Sequence, residues 1–356
     1  MELKDWIIIG VILAVIALVI YLYFSSLKKA GKAVLNAYLG IRYDDNDTLY
    51  YFKHTDFEYL SQETFTFKSN GLDLMGYKYY NDSVSRNGKL IVFFHGLGVG
   101  HVQYTSEIDY YTKQGYLVYT FDAQGSYNSQ GEGLYYFTNY VKNGDDFISH
   151  IQVLRDYKSN KVIFMGHSLG AHSAVVLASL HKDKVHKVVA FAPFENIEIL
   201  LRDQISGSLN KLAYILARQM AILEKNNAEK YYLSALSAMN NDIETMVLFG
   251  DKDHILSYEN NFLYFVNNLK DNKHKYFVTC KDRTHRPNLS LEASKYDTYR
   301  IVEFEKIKKT ATPEEMNAYY RGLDYNLLVE MDNKVMNLID DFLNEKEIKE
   351  KEIVLE

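Results

Sequence analysis

The chain has 356 residues, 47% of them hydrophobic and 24% charged, which is typical of a globular protein with a sizeable core. Its net charge of −6 is spread along the chain without a basic block, which argues against binding to nucleic acid. The single cysteine, Cys280, excludes an intrachain disulfide and a zinc ribbon.

The first predicted element is a membrane anchor over residues 1–26. Its apolar run, residues 6–24 (WIIIGVILAVIALVIYLYF), carries no charge. As a helix rising about 1.5 Å per residue, it crosses most of a ~30 Å hydrocarbon core. A cleaved signal peptide is the alternative, but the run is long, the preceding segment is not basic, and no A-x-A cleavage site directly follows.

The charges that flank this run bear on its orientation. Lys28, Lys29, Lys32 and Arg42 follow it, whereas Lys4 and the terminal amine precede it. The positive-inside rule therefore favours a cytoplasmic location for the domain that follows the run. The reverse orientation, with an extracellular domain, stays open.

A polar connector is predicted for residues 27–59, and one large domain for residues 60–345. The domain opens with alternating segments on either side of Asn70-Gly71, a dipeptide that strongly indicates a β-hairpin.

Short β-rich apolar runs then alternate with helical patterns, an order that predicts a mostly parallel sheet covered by helices. The predicted strands are 89–95, 116–122, 161–166, 187–193, 245–250 and 275–280, and the predicted helices are 103–114, 140–157, 168–181 and 324–345.

Two longer gaps are interpreted as insertions. Residues 195–244 are apolar at helical spacing and are predicted to form a helical cap above the C-terminal ends of the strands. Residues 293–323 form a second insertion, in which Thr312-Pro313-Glu314-Glu315 is a capping-box helix start. The charged tail, residues 346–356, is expected to be a fraying helix.

The sharpest chemical signal is Gly166-His167-Ser168-Leu169-Gly170, between the predicted strand 161–166 and the helix 168–181. Glycines at these positions permit a sharp strand-to-helix turn that exposes the serine hydroxyl and directs a helix N-terminus at developing negative charge. Ser168 is therefore the predicted nucleophile.

This pattern resembles the α/β-hydrolase family, and within it the lipase, esterase and serine-peptidase branches with a GHSLG-type elbow. The segment His95-Gly96-Leu97-Gly98 resembles the family's HG oxyanion loop, which implies that the N–H groups of Leu97 and Leu169 form the oxyanion hole. Residues 122–132 (DAQGSYNSQGE) resemble a family loop at the rim of the active site.

The resemblance also implies an acid and a base after the serine. Gly250-Asp251-Lys252-Asp253 resembles the family's G-x-x-D, which favours Asp253 as the acid, with Asp251 as its competitor. His285 takes the base position. The preceding CKDRT departs from the glycine-rich loop usual in the family.

These residues predict hydrolysis of an acyl ester, in the manner of a carboxylesterase or lipase, through an acyl-enzyme intermediate. A serine peptidase on the same fold and a non-catalytic, membrane-tethered binding module are the alternatives. The expected substrate is a small or lipid-like acyl compound. The other histidines lack partners at ligand spacing, so no metal or cofactor is expected; the oligomeric state is left open.

Overall fold

The protein is described from a computed structural model, which covers residues 3–44, 49–205 and 210–356. Across these ranges one nine-stranded sheet runs through the molecule in the order β1-β2-β4-β3-β5-β6-β7-β8-β9. The strands are β1 (Leu60–Ser69), β2 (Leu72–Asn81), β3 (Lys89–Phe94), β4 (Leu117–Phe121), β5 (Lys161–His167), β6 (Val185–Phe191), β7 (Glu244–Gly250), β8 (Lys275–Cys280) and β9 (Glu352–Leu355).

The sheet is antiparallel at its first edge and parallel elsewhere. β1 and β2 form a hairpin whose ends, Ser69 and Leu72, pair across Asn70-Gly71. Both turn residues have positive φ (51° and 78°), as the Asn-Gly dipeptide predicts. From β3 onward, neighbouring strands are parallel. The predicted α/β fold with a mostly parallel sheet is confirmed.

Helices cover both faces of this sheet, and two hydrophobic clusters fill the layers between them. The α-helices are α1 (Leu3–Leu39), α2 (Thr105–Lys113), α3 (Phe137–Ile151), α4 (Arg155–Ser159), α5 (Leu169–Leu180), α6 (Ile197–Ile205), α7 (Asn210–Asn227), α8 (Ala235–Met239), α9 (Tyr264–Leu269), α10 (Leu291–Ile307), α11 (Pro313–Arg321), α12 (Tyr325–Leu328) and α13 (Asn333–Leu343). Single turns of 3-10 helix lie at His54–Asp56, His101–Tyr104 and Glu229–Tyr231, and a π turn lies at Glu259–Leu263.

Helix α1 contains a segment, Ile9–Leu39, that is long and apolar enough to cross a membrane. The helix does not stop at the predicted anchor boundary. It continues through the first part of the predicted connector, where Gly31, Leu35 and Leu39 are buried. These residues recur every fourth position and form one helix stripe, which packs against α7. The connector prediction is therefore wrong for residues 27–39.

The polypeptide just after α1 is bound to the domain that contains the sheet. The Arg42 guanidinium donates to the carbonyls of Tyr127, Ser129 and Gly131 at 2.6–2.8 Å. The Leu39 carbonyl accepts the N–H groups of Leu134 and Tyr135. The helix is thus joined to the domain by direct contacts and does not end in a free spacer.

The C-terminal tail also differs from expectation. Residues Glu352–Leu355 form β9, which adds to the edge of the sheet parallel to β8. The side chains of EIVL alternate between exposed and half-buried, Ile353 and Val354 are β-branched, and the edge of β8 supplies unpaired backbone groups. The prediction of a fraying helix is wrong for these residues. The predicted capping box at Thr312 is present, with both reciprocal hydrogen bonds at the start of α11.

Candidate active site

Ser168 stands at the turn between β5 and α5, at the carboxyl end of a central parallel strand. Its backbone has φ 55° and ψ −118°, a conformation that a non-glycine residue adopts only under constraint. The Ser168 N–H donates to the Phe191 carbonyl at 2.8 Å, and its carbonyl accepts the His172 N–H at 3.0 Å. These bonds hold the predicted elbow and leave the Ser168 side chain half-buried beside the cavity described below.

The elbow glycines are required by close backbone approach. A Cβ on Gly170 would lie 2.0 Å from the Phe94 carbonyl oxygen and 2.5 Å from that of His95. A Cβ on Gly166 would meet the Gly170 carbonyl at 2.5 Å. The turn between β5 and α5 and the end of β3 can therefore pack this tightly only without side chains at these positions.

Gly170→Ala should accordingly destabilise the protein, because the new methyl group displaces the end of β3. We expect a loss of roughly 1–3 kcal/mol in the free energy of unfolding, the usual cost of overpacking. The measurement is the shift in thermal midpoint relative to Gly10→Ala, a position where an added Cβ meets nothing within 4 Å. Equal midpoints for the two variants would contradict the close approach.

The structure brings Asp253 and His285 together. Asp253 follows β7 and His285 follows β8, so the carboxyl ends of two adjacent parallel strands supply them. His285 Nδ1 lies 2.7 Å from Asp253 Oδ2, and the Asp253 side chain is fully buried. Asp253 Oδ1 accepts the N–H groups of Ile255 and Leu256. The carboxylate is thus oriented by its own loop toward the imidazole.

Asp251, the competing acid, faces elsewhere. Its Oδ1 accepts the Asp282 N–H at 2.7 Å, and its Oδ2 lies 3.2 Å from Lys281 Nζ. Both contacts tie the loop after β7 to the loop after β8. The structure therefore brings Asp253, and not Asp251, to the histidine.

The loop after β3 carries Leu97, which lines the cavity, while Leu169 is the first residue of α5. The peptide between Gly96 and Leu97 is fixed by His95, whose Nδ1 lies 2.6 Å from the Gly96 carbonyl oxygen. His95 Nε2 accepts the Ala123 N–H, which leaves Nδ1 as the donor. Burial lowers the pKa of His95 to about 4, so this neutral tautomer persists at pH 7.

Asp122, predicted to lie in a loop at the active-site rim, is instead fully buried. Its Oδ1 accepts the His101 N–H at 3.0 Å and lies 2.7 Å from His101 Nδ1, and its Oδ2 accepts the Tyr77 hydroxyl at 2.6 Å. Asp122 therefore anchors the far end of the oxyanion loop to the end of β4.

Two arginines that sequence reasoning missed hold the loop around His285. Arg283 donates to the carbonyls of Lys281 and Leu289 and pairs with Asp332 at 2.5 Å. Arg286 pairs with the buried carboxylate of Glu107 on α2. These contacts replace the glycine-rich loop that the family resemblance implies. Only their position beside His285 in the sequence could have drawn attention to them.

Ser168 and His285 line one cavity of about 470 Å³. Its walls are largely aromatic and apolar, and the charged groups Arg286, Asp297 and Arg300 lie among them. The aromatic lining residues are Tyr38, Tyr50, Tyr51, Phe52, Tyr104 and Tyr325.

The insertion predicted to cover this cavity does not supply its described lining. The described residues of 195–244 include three α-helices, but none of these residues lines the cavity, so a cap at this position stays a prediction. Helix α7 of that insertion packs instead against α1, because the buried stripe of α1 covers its apolar face. The cavity is lined instead by residues 49–52 and by five residues further along the chain, and the ring centroids of Tyr50 and Tyr325 are 5.6 Å apart. These five are Asp297, Arg300, Tyr325, Leu328 and Val329.

The mostly parallel sheet, with a strained serine at a strand-to-helix turn and a histidine–aspartate pair on the following strand ends, defines an α/β hydrolase. Residues 85–281, more than half of the chain, match the family model described as serine aminopeptidase, S33, and the chain belongs to this family. His285 lies just beyond the matched range. No curated protein matches the chain.

Solved structures show the same fold at low sequence identity. The Pyrococcus furiosus esterase Pf2001 aligns with a TM-score of 0.53 at 16% identity, covering 76% of this chain and 97% of that protein. A second crystal form of the same esterase aligns with a TM-score of 0.52 at 14% identity, covering 75% and 98%. This likeness supports the fold and leaves the substrate to be argued from the site.

Proposed function

We propose that the protein is a serine hydrolase that cleaves carboxylic esters, with Ser168 as nucleophile, His285 as general base and Asp253 as its acid partner. The observation that carries this proposal is the 2.7 Å contact between His285 Nδ1 and the buried Asp253 carboxylate, beside a cavity that Ser168 also lines. Membership in a hydrolase family supports it.

The chemistry follows from the weakness of serine as a nucleophile at pH 7. Ser168 Oγ attacks the acyl carbon while its proton passes to His285 Nε2, and Asp253 stabilises the imidazolium. The intermediate collapses, the bond to the leaving alkoxide breaks, and His285 returns the proton to it as the alcohol departs. Water, deprotonated by His285, then attacks the acyl-enzyme, and the acid and free Ser168 are released.

Hydrogen-bond donors must stabilise the negative charge that develops on the carbonyl oxygen of the substrate. We assign this role to the N–H groups of Leu97 and Leu169. Leu169 begins α5, so its N–H has no partner within the helix. His95 binds the carbonyl of the Gly96–Leu97 peptide. Because the N–H of a trans peptide points away from its carbonyl, this bond also fixes the direction of the Leu97 N–H.

The charges at the cavity favour an ester substrate over a peptide substrate with a free N-terminus. An aminopeptidase needs a carboxylate for the substrate ammonium group, and Asp297 is the acidic residue among the described lining residues. Its Oδ1 already accepts Arg300 at 2.7 Å, so its charge is compensated. A serine peptidase stays the second candidate because the matching family model is described as an aminopeptidase.

The position of α1 favours a small, soluble ester over a lipid embedded in the bilayer. Tyr38 lines the cavity on the same unbroken helix as the apolar run that ends at Phe24. At 1.5 Å per residue, the two residues are separated by about 20 Å of helix. If residues 6–24 span the membrane, this part of the cavity wall is held well clear of the hydrocarbon core.

A panel of p-nitrophenyl esters and aminoacyl p-nitroanilides tests the substrate class, with a fluorophosphonate probe as the test of the nucleophile. We expect probe labelling and faster hydrolysis of short acyl esters than of aminoacyl anilides. Hydrolysis of the anilides alone would support the peptidase. A failure of the probe to label the protein would favour the non-catalytic binding module and overturn the proposal.

We further propose that α1 is a single-pass anchor with the catalytic domain in the cytoplasm. Lys28, Lys29 and Lys32 follow the span and are exposed, whereas Lys4 precedes it. Protease added to intact cells or spheroplasts should leave the domain uncut, and the same protease should digest it after lysis. Digestion without lysis would place the domain outside, and release of the whole domain from the membrane fraction by carbonate would contradict the span.

A further inference from the structure

His167, which precedes the nucleophile, lies at the centre of a chain of buried hydrogen bonds. The Gly96 N–H donates to the Tyr104 hydroxyl oxygen at 3.0 Å, and that oxygen lies 2.8 Å from His167 Nδ1. On the other side of the ring, His167 Nε2 lies 2.9 Å from the His285 carbonyl oxygen. Gly96, Tyr104 and His167 are all buried.

The direction of every bond in this chain is determined. The His285 carbonyl can only accept, so His167 Nε2 must carry a hydrogen. Burial, with the nearby His285 and Arg286 charges, holds the pKa of His167 well below its ordinary value. The ring is therefore neutral, its Nδ1 accepts, and the Tyr104 hydroxyl accepts from Gly96 and donates to His167.

This chain joins three separate parts of the active site. Gly96 belongs to the oxyanion loop, His167 to the elbow, and His285 to the loop that carries the base. The packing is close enough that a Cβ on Gly96 would lie 2.7 Å from the Tyr104 oxygen and 3.2 Å from His167 Nδ1.

Residues that follow His285 also hold Tyr104 in place. The Arg286 guanidinium lies 5.5 Å from its ring centroid, and the same guanidinium pairs with Glu107. Asn288 also donates to Glu107 at 3.1 Å. The tyrosine is thus clamped between the oxyanion loop, the elbow and the loop that follows His285.

We infer that His167 and Tyr104 are positioning residues, which hold the His285 loop in register with the elbow and the oxyanion loop. This inference rests on the proposed function. Neither side chain is needed to exchange a proton with substrate; their loss should displace the base and the oxyanion donor relative to Ser168. A displacement of about 1 Å costs on the order of 100-fold in rate.

The cleanest test is Tyr104→Phe, which removes one oxygen and leaves the ring. Tyr111→Phe is the matched control, because Tyr111 is equally buried, lies on the adjacent α2, and has a hydroxyl without a partner in the described structure. The readouts are kcat and KM for p-nitrophenyl acetate and the rate of fluorophosphonate labelling, with the thermal midpoint of each variant. We expect Tyr104→Phe to lower kcat and the labelling rate about tenfold with KM nearly unchanged, and Tyr111→Phe to match the wild type.

Three further variants address His167. His167→Leu should lower the labelling rate about 100-fold. The Tyr104→Phe/His167→Leu double variant should be labelled no more slowly than His167→Leu alone, because both substitutions break the same chain of hydrogen bonds. His167→Gln keeps an acceptor and a donor and should recover part of the rate. Additive effects in the double variant would overturn the inference. A labelling rate for Tyr104→Phe equal to that of Tyr111→Phe would also overturn it, and this comparison does not depend on the stability of His167→Leu.

These outcomes separate the inference from the function it rests on. Wild-type protein that the probe does not label at Ser168 would overturn both. Labelling at Ser168 that is insensitive to Tyr104→Phe would overturn the positioning role alone.

Discussion

Ser168→Ala should abolish ester hydrolysis and fluorophosphonate labelling while the thermal midpoint stays near that of the wild type. The substitution removes the attacking oxygen, and loss of the nucleophile in a triad lowers kcat by about a millionfold. The elbow should persist, because the Ser168 N–H and carbonyl both remain bonded, to Phe191 and His172. The measurement is kcat for p-nitrophenyl acetate, with calorimetry on the same preparation.

Ser173→Ala provides the matched control for this variant. Ser173 is also buried on α5, and its hydroxyl donates to the Leu169 carbonyl at 2.8 Å, a bond within the helix. We expect its activity to match the wild type. Substantial hydrolysis by Ser168→Ala, or an equal loss in both variants, would mean that the serine at the elbow is not the nucleophile.

The sheet could be predicted from the sequence because each strand carries its own signal. The runs at 89–95, 161–166, 245–250 and 275–280 are short, rich in β-branched and aromatic residues, and buried on both faces, as parallel strands are. The hairpin was equally local, since Asn70-Gly71 alone determines the turn. These elements can be predicted without information on contacts between distant parts of the chain.

The connector prediction failed because the buried stripe of α1 is hard to recognise in the sequence. Leu27, Gly31, Leu35 and Leu39 form an amphipathic stripe, but lysines and an asparagine separate them, and the segment reads as polar. In the structure this stripe packs against α7, and none of the described residues of 195–244 lines the cavity. Such packing between helices from distant parts of the chain decides what each insertion contacts. Neither segment's sequence specifies this packing on its own.

The residues of the candidate site also fall into two groups, those that sequence motifs select and those that they do not. Ser168, Asp253 and His285 follow strand ends in motifs that chain order alone can select. Tyr104, Glu107 and Arg286 have no such signature, because their roles depend on contacts between α2 and the loop after β8. The departure of CKDRTHRP from a glycine-rich loop was a visible signal, and the arginines that hold this loop explain it.

Asp253→Asn should lower kcat by about ten-thousandfold with little change in KM or stability. Asp253 Oδ1 accepts two backbone N–H groups, from Ile255 and Leu256. An asparagine would keep its oxygen on these donors and turn its amide N–H toward His285 Nδ1. That donor forces the hydrogen of the neutral imidazole onto Nε2, the atom that must accept the proton of Ser168, so the base is held in the wrong tautomer.

Asp251→Asn is the matched control, since it neutralises a carboxylate two residues away on the same loop. Its contacts are to the Asp282 N–H and to Lys281, and the ion pair with Lys281 is partly exposed. We expect kcat within about twofold of the wild type and a stability loss of at most about 1 kcal/mol. The two variants are compared by kcat on p-nitrophenyl acetate and by thermal midpoint. A large loss of kcat in Asp251→Asn, with Asp253→Asn active, would transfer the acid role to Asp251 and require the loop after β7 to rearrange when substrate binds.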